Sequence, residues 1–275
     1  MSKVRLDVEM VKRGLSPSRE KARAEIMAGE VRVNGVRAEK AGQEIPEEAE
    51  IVVVGEAIPF VSRGGLKLDK AVKVFSINLE GRVCADIGAS TGGFTDVMLQ
   101  NGASHVYAID VGYGQLDWKP RNDDRVTVME RTNARNMAPD WFDQKVTFAS
   151  IDVSFISLKL ILPPLYQCLE EEGEVVALIK PQFEAGRNEV GKNGVIRDCS
   201  VHARICEEIM RFASNSGYAV KDLSYSPITG PKGNIEFLLY MQKSSTKNIP
   251  DEPDFQLLAQ KTAESAHKTD AFLKS

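Results

Sequence analysis

From Val83 onward the apolar positions fall in short continuous runs rather than in a helical stripe. VCADI (83–87), HVYAID (105–110), VTVME (126–130), VTFASID (146–152) and EVVALIK (174–180) are the clearest. Runs of that length, apolar at nearly every position, predict strands buried on both faces, as in a parallel sheet. Segments of helical character lie between several of them, including FTDVMLQNG (94–102) and the stretch from Ser157 to Glu172. Strand alternating with helix predicts an α/β domain. Two later strands, Val220–Ser226 and Ile235–Gln242, are joined by little more than ITGPKGN. So short a link holds no crossover, so these two are predicted to be antiparallel.

The first 58 residues have a different rhythm and predict a compact α/β module. VEMVKRG reads as a short helix stopped by Gly14. Ser16-Pro17-Ser18 opens a second helix, because serine caps and proline suits a first turn. Ala22 and Ile26 share one face of it, and Gly29 ends it. VRVNGVR predicts two strands around an Asn34-Gly35 turn, and IVVV (51–54) a further strand. Three regions result: the module at 1–58, a larger domain at 59–243 and a polar tail at 244–275 with one helix around Phe255–Ser265. Glu56-Ala57-Ile58-Pro59 is the expected linker, since Pro59 biases Ile58 toward extended backbone.

Composition is that of a globular protein, with 275 residues, 43% hydrophobic and 27% charged. No apolar run suffices to span a bilayer, and the polar start MSKVRLDVEM is not a signal peptide, so a cytoplasmic protein is expected. Cys84, Cys168, Cys199 and Cys206 show no CxxC spacing and no companion histidines, which predicts reduced thiols and no metal site. A net charge of −4 argues at first against a nucleic-acid partner. The distribution argues otherwise: residues 1–40 carry ten lysines and arginines against six acids, and Lys67, Lys70 and Lys73 form a second basic cluster.

The candidate chemistry sits at the ends of the predicted strands. Asp86-Ile87-Gly88-Ala89-Ser90-Thr91-Gly92-Gly93-Phe94 leaves the first strand and opens a helix, a place where glycines let backbone approach a ligand. It is neither GxGxxG nor, lacking a lysine, a phosphate-binding P-loop. The second strand ends at Asp110, at the distance expected of a ribose-binding carboxylate. Asp152 ends the fourth strand and Lys180 the fifth, so the two are predicted neighbours. Lys67, in SRGGLKL, precedes the first strand, and Glu236 follows GPKGN in the last hairpin. Taken singly, each of these charges reads equally well as a surface charge or a structural ion pair.

Together they resemble known proteins. Arg5-Leu6-Asp7, Arg13-Gly14, Ser18-Arg19, Gly29 and Val33-Asn34-Gly35 fall as in the RNA-binding domain named after small-subunit ribosomal protein S-four. That resemblance implies RNA contacts from Arg5, Arg13, Arg19, Lys21 and Arg23, with Arg63 added from the second domain. A parallel sheet ending in an antiparallel hairpin is the plan of the Rossmann-like methyltransferases. Lys67, Asp152, Lys180 and Glu236 resemble the catalytic tetrad of the FtsJ-type ribose methyltransferases. With Val61-Ser62-Arg63-Gly64-Gly65, Asp110-Val111-Gly112-Tyr113-Gly114-Gln115-Leu116 and Lys180-Pro181-Gln182-Phe183-Glu184, the chain to about residue 243 looks like the TlyA family. Its members carry both haemolysin and ribosomal RNA cytidine 2′-O-methyltransferase names.

The resemblance implies S-adenosylmethionine as cofactor, held by Asp86, Gly88, Ser90, Gly92, Gly93, Phe94 and Asp110. Asn133 falls at the adenine end, and Asp86 and Asp152 would face the sulfonium charge. Lys180 is then the expected contact to the ribose hydroxyl, as a base or as a cation stabilising developing alkoxide. Lys67 would depress its pKa, and Asp152 and Glu236 would raise it. The partner is ribosomal RNA or a ribosomal subunit, and the protein is expected as a monomer or weak homodimer. Two other classes compete. Direct lysis by a haemolysin finds no spanning segment or strong amphipathic stripe. A non-catalytic assembly factor would have no use for an intact glycine turn with all four polar residues.

Overall fold

The computed structural model describes residues 3–38, 40–53, 58–186, 189–191, 193–230, 232–244 and 254–274. The chain divides into two compact units, 1–59 and 60–275.

In the first unit, β1 (Lys3–Arg5) leads into α1 (Leu6–Lys12) and α2 (Arg19–Ala28). The strands β2 (Val31–Val33), β3 (Val36–Arg37), β4 (Glu44–Pro46) and β5 (Ile51–Val53) follow. Ser18 caps α2 by accepting from the Lys21 amide, and Gly29 closes it in the left-handed region at φ 78°. Asn34 and Gly35 both take positive φ, which turns β2 tightly onto β3. β5 pairs antiparallel on the other side of β2. Leu6, Met10, Ala22, Ile26 and Val31 form a small core of their own. The pairing of β1 with β4 went unpredicted from sequence, because three-residue strands carry too little pattern.

The second unit is built on a seven-stranded sheet, counted among the described residues, in the order β11-β12-β10-β9-β6-β7-β8. These are β6 (Val83–Ile87), β7 (His105–Ile109), β8 (Val126–Met129), β9 (Val146–Ile151), β10 (Leu169–Ile179), β11 (Tyr218–Tyr225) and β12 (Phe237–Lys243). β12 runs antiparallel to both neighbours, β10 and β11, and the pairings among β6 to β10 are parallel. The chain moves outward from β6 to β8 on one side and from β9 onward on the other. The switch point therefore lies between the carboxyl ends of β6 and β9, where such sheets bind ligands.

Helices α3 (Gly65–Val74) and α4 (Gly93–Gln100) pair with each other beside the sheet, with Leu68, Ala71, Val97 and Met98 buried. Short α5 (Trp118–Arg121) and α7 (Pro181–Glu184) sit in loops after strands, and α6 (Leu162–Cys168) packs into the main core. α8 (Cys199–Asn215) buries Ile205, Cys206, Ile209, Met210 and Ala213 and is capped by Asp198. α9 (Phe255–Lys274) lies on α8 and β11.

Two local readings are corrected. Helix was expected through Glu172, but strand β10 begins at Leu169, with a register shift before Glu174 and Glu172 at φ 62°. Leu169 pairs with β9 and Glu174 with both β9 and β12, and these flanking pairings override the helix propensity of the EEE between them. The C-terminal helix runs past Ser265 to Lys274, and Phe255, Ala259, Ala263 and Ala266 bury themselves in the main core. An alanine stripe among polar residues shows little contrast in a sequence, though its small side chains allow close packing. Of the expected linker, Glu56 and Ala57 lie outside the described residues. Among the described residues no helix is long and apolar enough to cross a membrane.

Candidate active site

Asp152 follows the last residue of β9, Lys180 the last of β10, Lys67 is in the first turn of α3, and Glu236 directly precedes β12. Lys180 Nζ lies 2.5 Å from Asp152 Oδ1, and Lys67 Nζ lies 3.4 Å from Asp152 Oδ2 and 2.7 Å from Glu236 Oε2. Asp152 thus bridges both lysines, while Glu236 pairs with Lys67. Lys67 and Lys180 are each 8% exposed and Glu236 is 2% exposed. Buried charges persist only when paired, and here two cations meet two carboxylates. Burial works against the Lys67 charge, but Asp152 and Glu236 outweigh it and hold its pKa above the ordinary lysine value. Burial likewise raises Asp152, yet Lys67 and Lys180 bring it below the usual carboxylate range.

The four residues line one cavity of about 590 Å³ together with the glycine turn. Gly88, Ala89, Ser90, Thr91, Gly93 and Phe94 form its wall at the end of β6. Gly88, at φ +87°, has no room for a side chain, since a Cβ would lie 2.5 Å from the Asp152 carbonyl oxygen. Ser62, Arg63 and Gly64 bring the start of α3 to the same cavity. A Cβ on Gly93 would lie 2.8 Å from Gly65 N, so α3 and α4 begin almost in contact. Two helix N-termini therefore present their partial positive charge at one point.

The chain is similar along nearly its whole length to known proteins. Residues 60–243 match the family model of the FtsJ-like methyltransferases. The chain belongs to the FtsJ-like methyltransferase family. Residues 4–51 match the S4 domain, so an S4 domain precedes the FtsJ-like one. The chain is 50% identical to YqxC of Bacillus subtilis over 272 residues, 97% of this chain and 95% of that protein. It is 43% identical to the 16S/23S rRNA (cytidine-2′-O)-methyltransferase TlyA of Mycobacterium tuberculosis, over 90% of this chain and 92% of that protein. A solved structure from Streptococcus thermophilus that carries a hemolysin name is 48% identical, with TM-score 0.79, covering 100% of this chain and 99% of that one. These matches place the chain with the TlyA proteins.

Several residues expected to hold the cofactor stand behind the FtsJ-like cavity rather than on its wall. Asp86 is fully buried and accepts from Thr95 Oγ1 at 2.6 Å and Ser150 Oγ at 3.1 Å. Burial pushes its pKa up to about 6. Gly92 packs against Leu116 and Pro120, and Asn133 caps the 3-10 turn Ala134–Asn136 by accepting from the Arg135 amide. Asp110 accepts from Ser90 N at 2.8 Å and Gly112 N at 2.6 Å, which ties the glycine turn to the loop after β7.

Other cavity residues went unpredicted. Ser154, Phe155, Gln182 and Phe183 belong to the segments VSF and PQF that follow the two strand-end charges. Phe155 is 90% exposed at φ 64°, with its ring centroid 5.0 Å from that of Phe183. An aromatic just beyond a strand-end acid, SIDVSF, was the available signal. Asn234, 3% exposed, accepts from Ile196 N at 3.0 Å and donates to Gly194 O at 2.9 Å, joining two loops of the cavity wall. Arg63 Nη2 donates to Thr229 O at 2.7 Å across that wall.

In the S4 domain, Arg5 grips the buried carboxylate of Asp7 with two bonds of 3.0 Å, and Arg19 adds a third at 3.1 Å. Arg13 bonds Glu9 at 2.8 Å, Ala49 O at 2.7 Å and Glu47 O. Lys21 and Arg23 make no ion pair among the described residues.

Proposed function

We propose that this chain transfers a methyl group from S-adenosylmethionine to the 2′-hydroxyl of a cytidine ribose in ribosomal RNA. The observation that carries this reading is the joining of Lys67, Asp152, Lys180 and Glu236 in one ion-paired cluster on the wall shared with the glycine turn. The names of the TlyA relatives supply the substrate class, a cytidine 2′-hydroxyl of ribosomal RNA.

The residues present fit the cofactor. The Gly88–Thr91 turn offers backbone rather than side chains to a ligand. The paired N-termini of α3 and α4 suit the carboxylate of its methionine part. Asp110, with one amide bond to each oxygen, keeps lone pairs for ribose hydroxyls. When bound, S-adenosylmethionine supplies an electrophilic methyl group on a positively charged sulfur. Asp152, below its usual pKa, keeps a negative charge beside that position. Asp86 and Asn133 then act through the turns they brace.

Lys180 is the proposed contact to the hydroxyl, because Asp152 fixes it and its amine lines the cavity. As a neutral amine it takes the hydroxyl proton; as an ammonium it stabilises the developing alkoxide. Lys67 holds Asp152 and Glu236 in place as a permanent cation. Phe155 offers an open ring face on which a base can stack beside the site. Lys21 and Arg23, with Arg63 at the cavity, are the proposed phosphate contacts, while Arg5, Arg13 and Arg19 mainly hold the S4 domain together. Ribosomal RNA as substrate places the work in the cytoplasm.

The test is to map 2′-O-methyl groups on ribosomal RNA from cells with and without this protein. Loss of a methylated cytidine, restored by the wild-type protein but not by Lys180→Ala, is the expected result. An unchanged methylation map would sink the reading.

A further inference from the structure

We propose that Ser154 is a positioning residue for Lys180, fixing the rotation of its amine so that it faces the substrate hydroxyl. This rests on the ribose methyl transfer proposed above. A lysine ammonium rotates freely about its last bond and offers three equivalent donors. Here Ser154 Oγ accepts one at 2.9 Å, and Asp152 Oδ1 lies 2.5 Å from the nitrogen as an ion-pair partner, without a hydrogen bond to it. One fixed acceptor and one fixed counter-charge restrain the rotation. The remaining donor positions are left to the cavity that Lys180 and Ser154 both line. Glu236 does not serve as a further acceptor, because it lies on Lys67.

The loop that carries Ser154 is itself held in place. Glu184 of α7 accepts from Ser157 Oγ at 2.5 Å and from Leu158 N at 2.7 Å, clamping the loop after β9 to the segment after β10. Each clamped segment carries one partner of the Lys180–Ser154 bond. Phe155 follows at φ 64°, a backbone state that a non-glycine residue takes only when its surroundings impose it. Ser154 is exposed, so its replacement scarcely perturbs folding.

The experiment uses the full chain and ribosomal subunits from cells lacking it, with Ser154→Ala and Ser154→Thr compared in single-turnover methylation across pH. Ser154→Ala should slow transfer roughly tenfold at saturating cofactor and subunit, the worth of one hydrogen bond to a charged group. Cofactor affinity by calorimetry should stay within about twofold of wild type, as a lost orienting bond alone implies. Ser154→Thr, which keeps the hydroxyl, should recover most of the rate, and the pH–rate curve of Ser154→Ala should be displaced from that of wild type. An active wild type with Ser154→Ala equally fast, or with Ser154→Thr as slow as Ser154→Ala, overturns the proposal. A wild type that transfers no methyl group overturns the methyltransferase reading and this proposal with it.

Discussion

Gly88 and Asp152 meet backbone to backbone: a Cβ on the glycine would lie 2.5 Å from the Asp152 carbonyl oxygen, and Asp152 N donates to Ile87 O at 2.9 Å. The proposed cofactor turn and the acid that bridges the two lysines therefore share one piece of packing at the switch point of the sheet. Gly88→Ala should displace both. Its expected effect is at least a tenfold loss of S-adenosylmethionine affinity by calorimetry, one lost contact's worth or more. Gly81→Ala is the control, because φ is also positive there (+69°) but nothing lies within 4 Å of the added carbon. It should cost stability of about 1 kcal/mol and leave cofactor affinity unchanged. Equal affinities for the two variants would refute the coupling.

The two lysines should fail in different ways. Lys180→Ala removes the group set toward the hydroxyl, so single-turnover methylation should fall at least about a hundredfold with cofactor binding nearly intact. Lys67→Ala leaves Asp152 and Glu236 without their shared cation and should also lower unfolding stability by roughly 3 kcal/mol, as breaking a buried pair does. Denaturant melts of both variants check this. A Lys67→Ala protein as stable as wild type would contradict the ion-pair account.

Phe155→Ala should slow methylation of ribosomal subunits while changing neither the melting temperature nor cofactor affinity, because its ring is 90% exposed. Loss of base stacking is worth about 1–3 kcal/mol. A wild-type rate in the variant would remove Phe155 from the substrate surface.

The basic residues of the S4 domain should separate into two sets. Lys21→Glu with Arg23→Glu should weaken RNA binding and lower the slope of log affinity against log salt by about 2. The fold should survive, since neither makes an ion pair among the described residues. Arg13→Ala should instead destabilise the domain by about 2 kcal/mol through the bonds lost to Glu9, Glu47 O and Ala49 O. Salt-insensitive binding by wild type would refute the phosphate-contact role.

Acid should loosen the C-terminal helix. His202 of α8 is fully buried, with Nδ1 2.9 Å from His267 Nε2 of α9. Burial, helped by His267 and opposed by Asp198, lowers its pKa from 6.5 to about 4. The unfolded chain then binds the proton first between those values, so stability present above pH 6.5 is lost as pH falls toward 4. The loss is at most about 3 kcal/mol. Melting curves of wild type and His202→Gln from pH 7.5 to 4.5 should converge as pH falls. Parallel curves would show that another group governs the acid limb.

The sequence by itself determined the parallel strands, their order of appearance, the antiparallel hairpin, the Asn34-Gly35 turn and the Ser18 and Gly29 caps. Each is a local signal: an apolar run, a turn pair, or a cap whose backbone angle few residues accept. Placement at strand ends also predicts Asp152 and Lys180 to be neighbours, because parallel strands deliver their carboxyl ends to one edge. Only the tertiary structure decided how the charges are shared. Glu236 belongs to Lys67 rather than Lys180, Asp86 faces Thr95 and Ser150, and Arg13 serves its own domain. Ser154 and Glu184 become visible only where two loops, 26 and 27 residues apart along the chain from their partners, are brought together. The physical reason is that side-chain pairing and burial depend on distances between distant segments, and a pattern along the chain records only which way each segment faces.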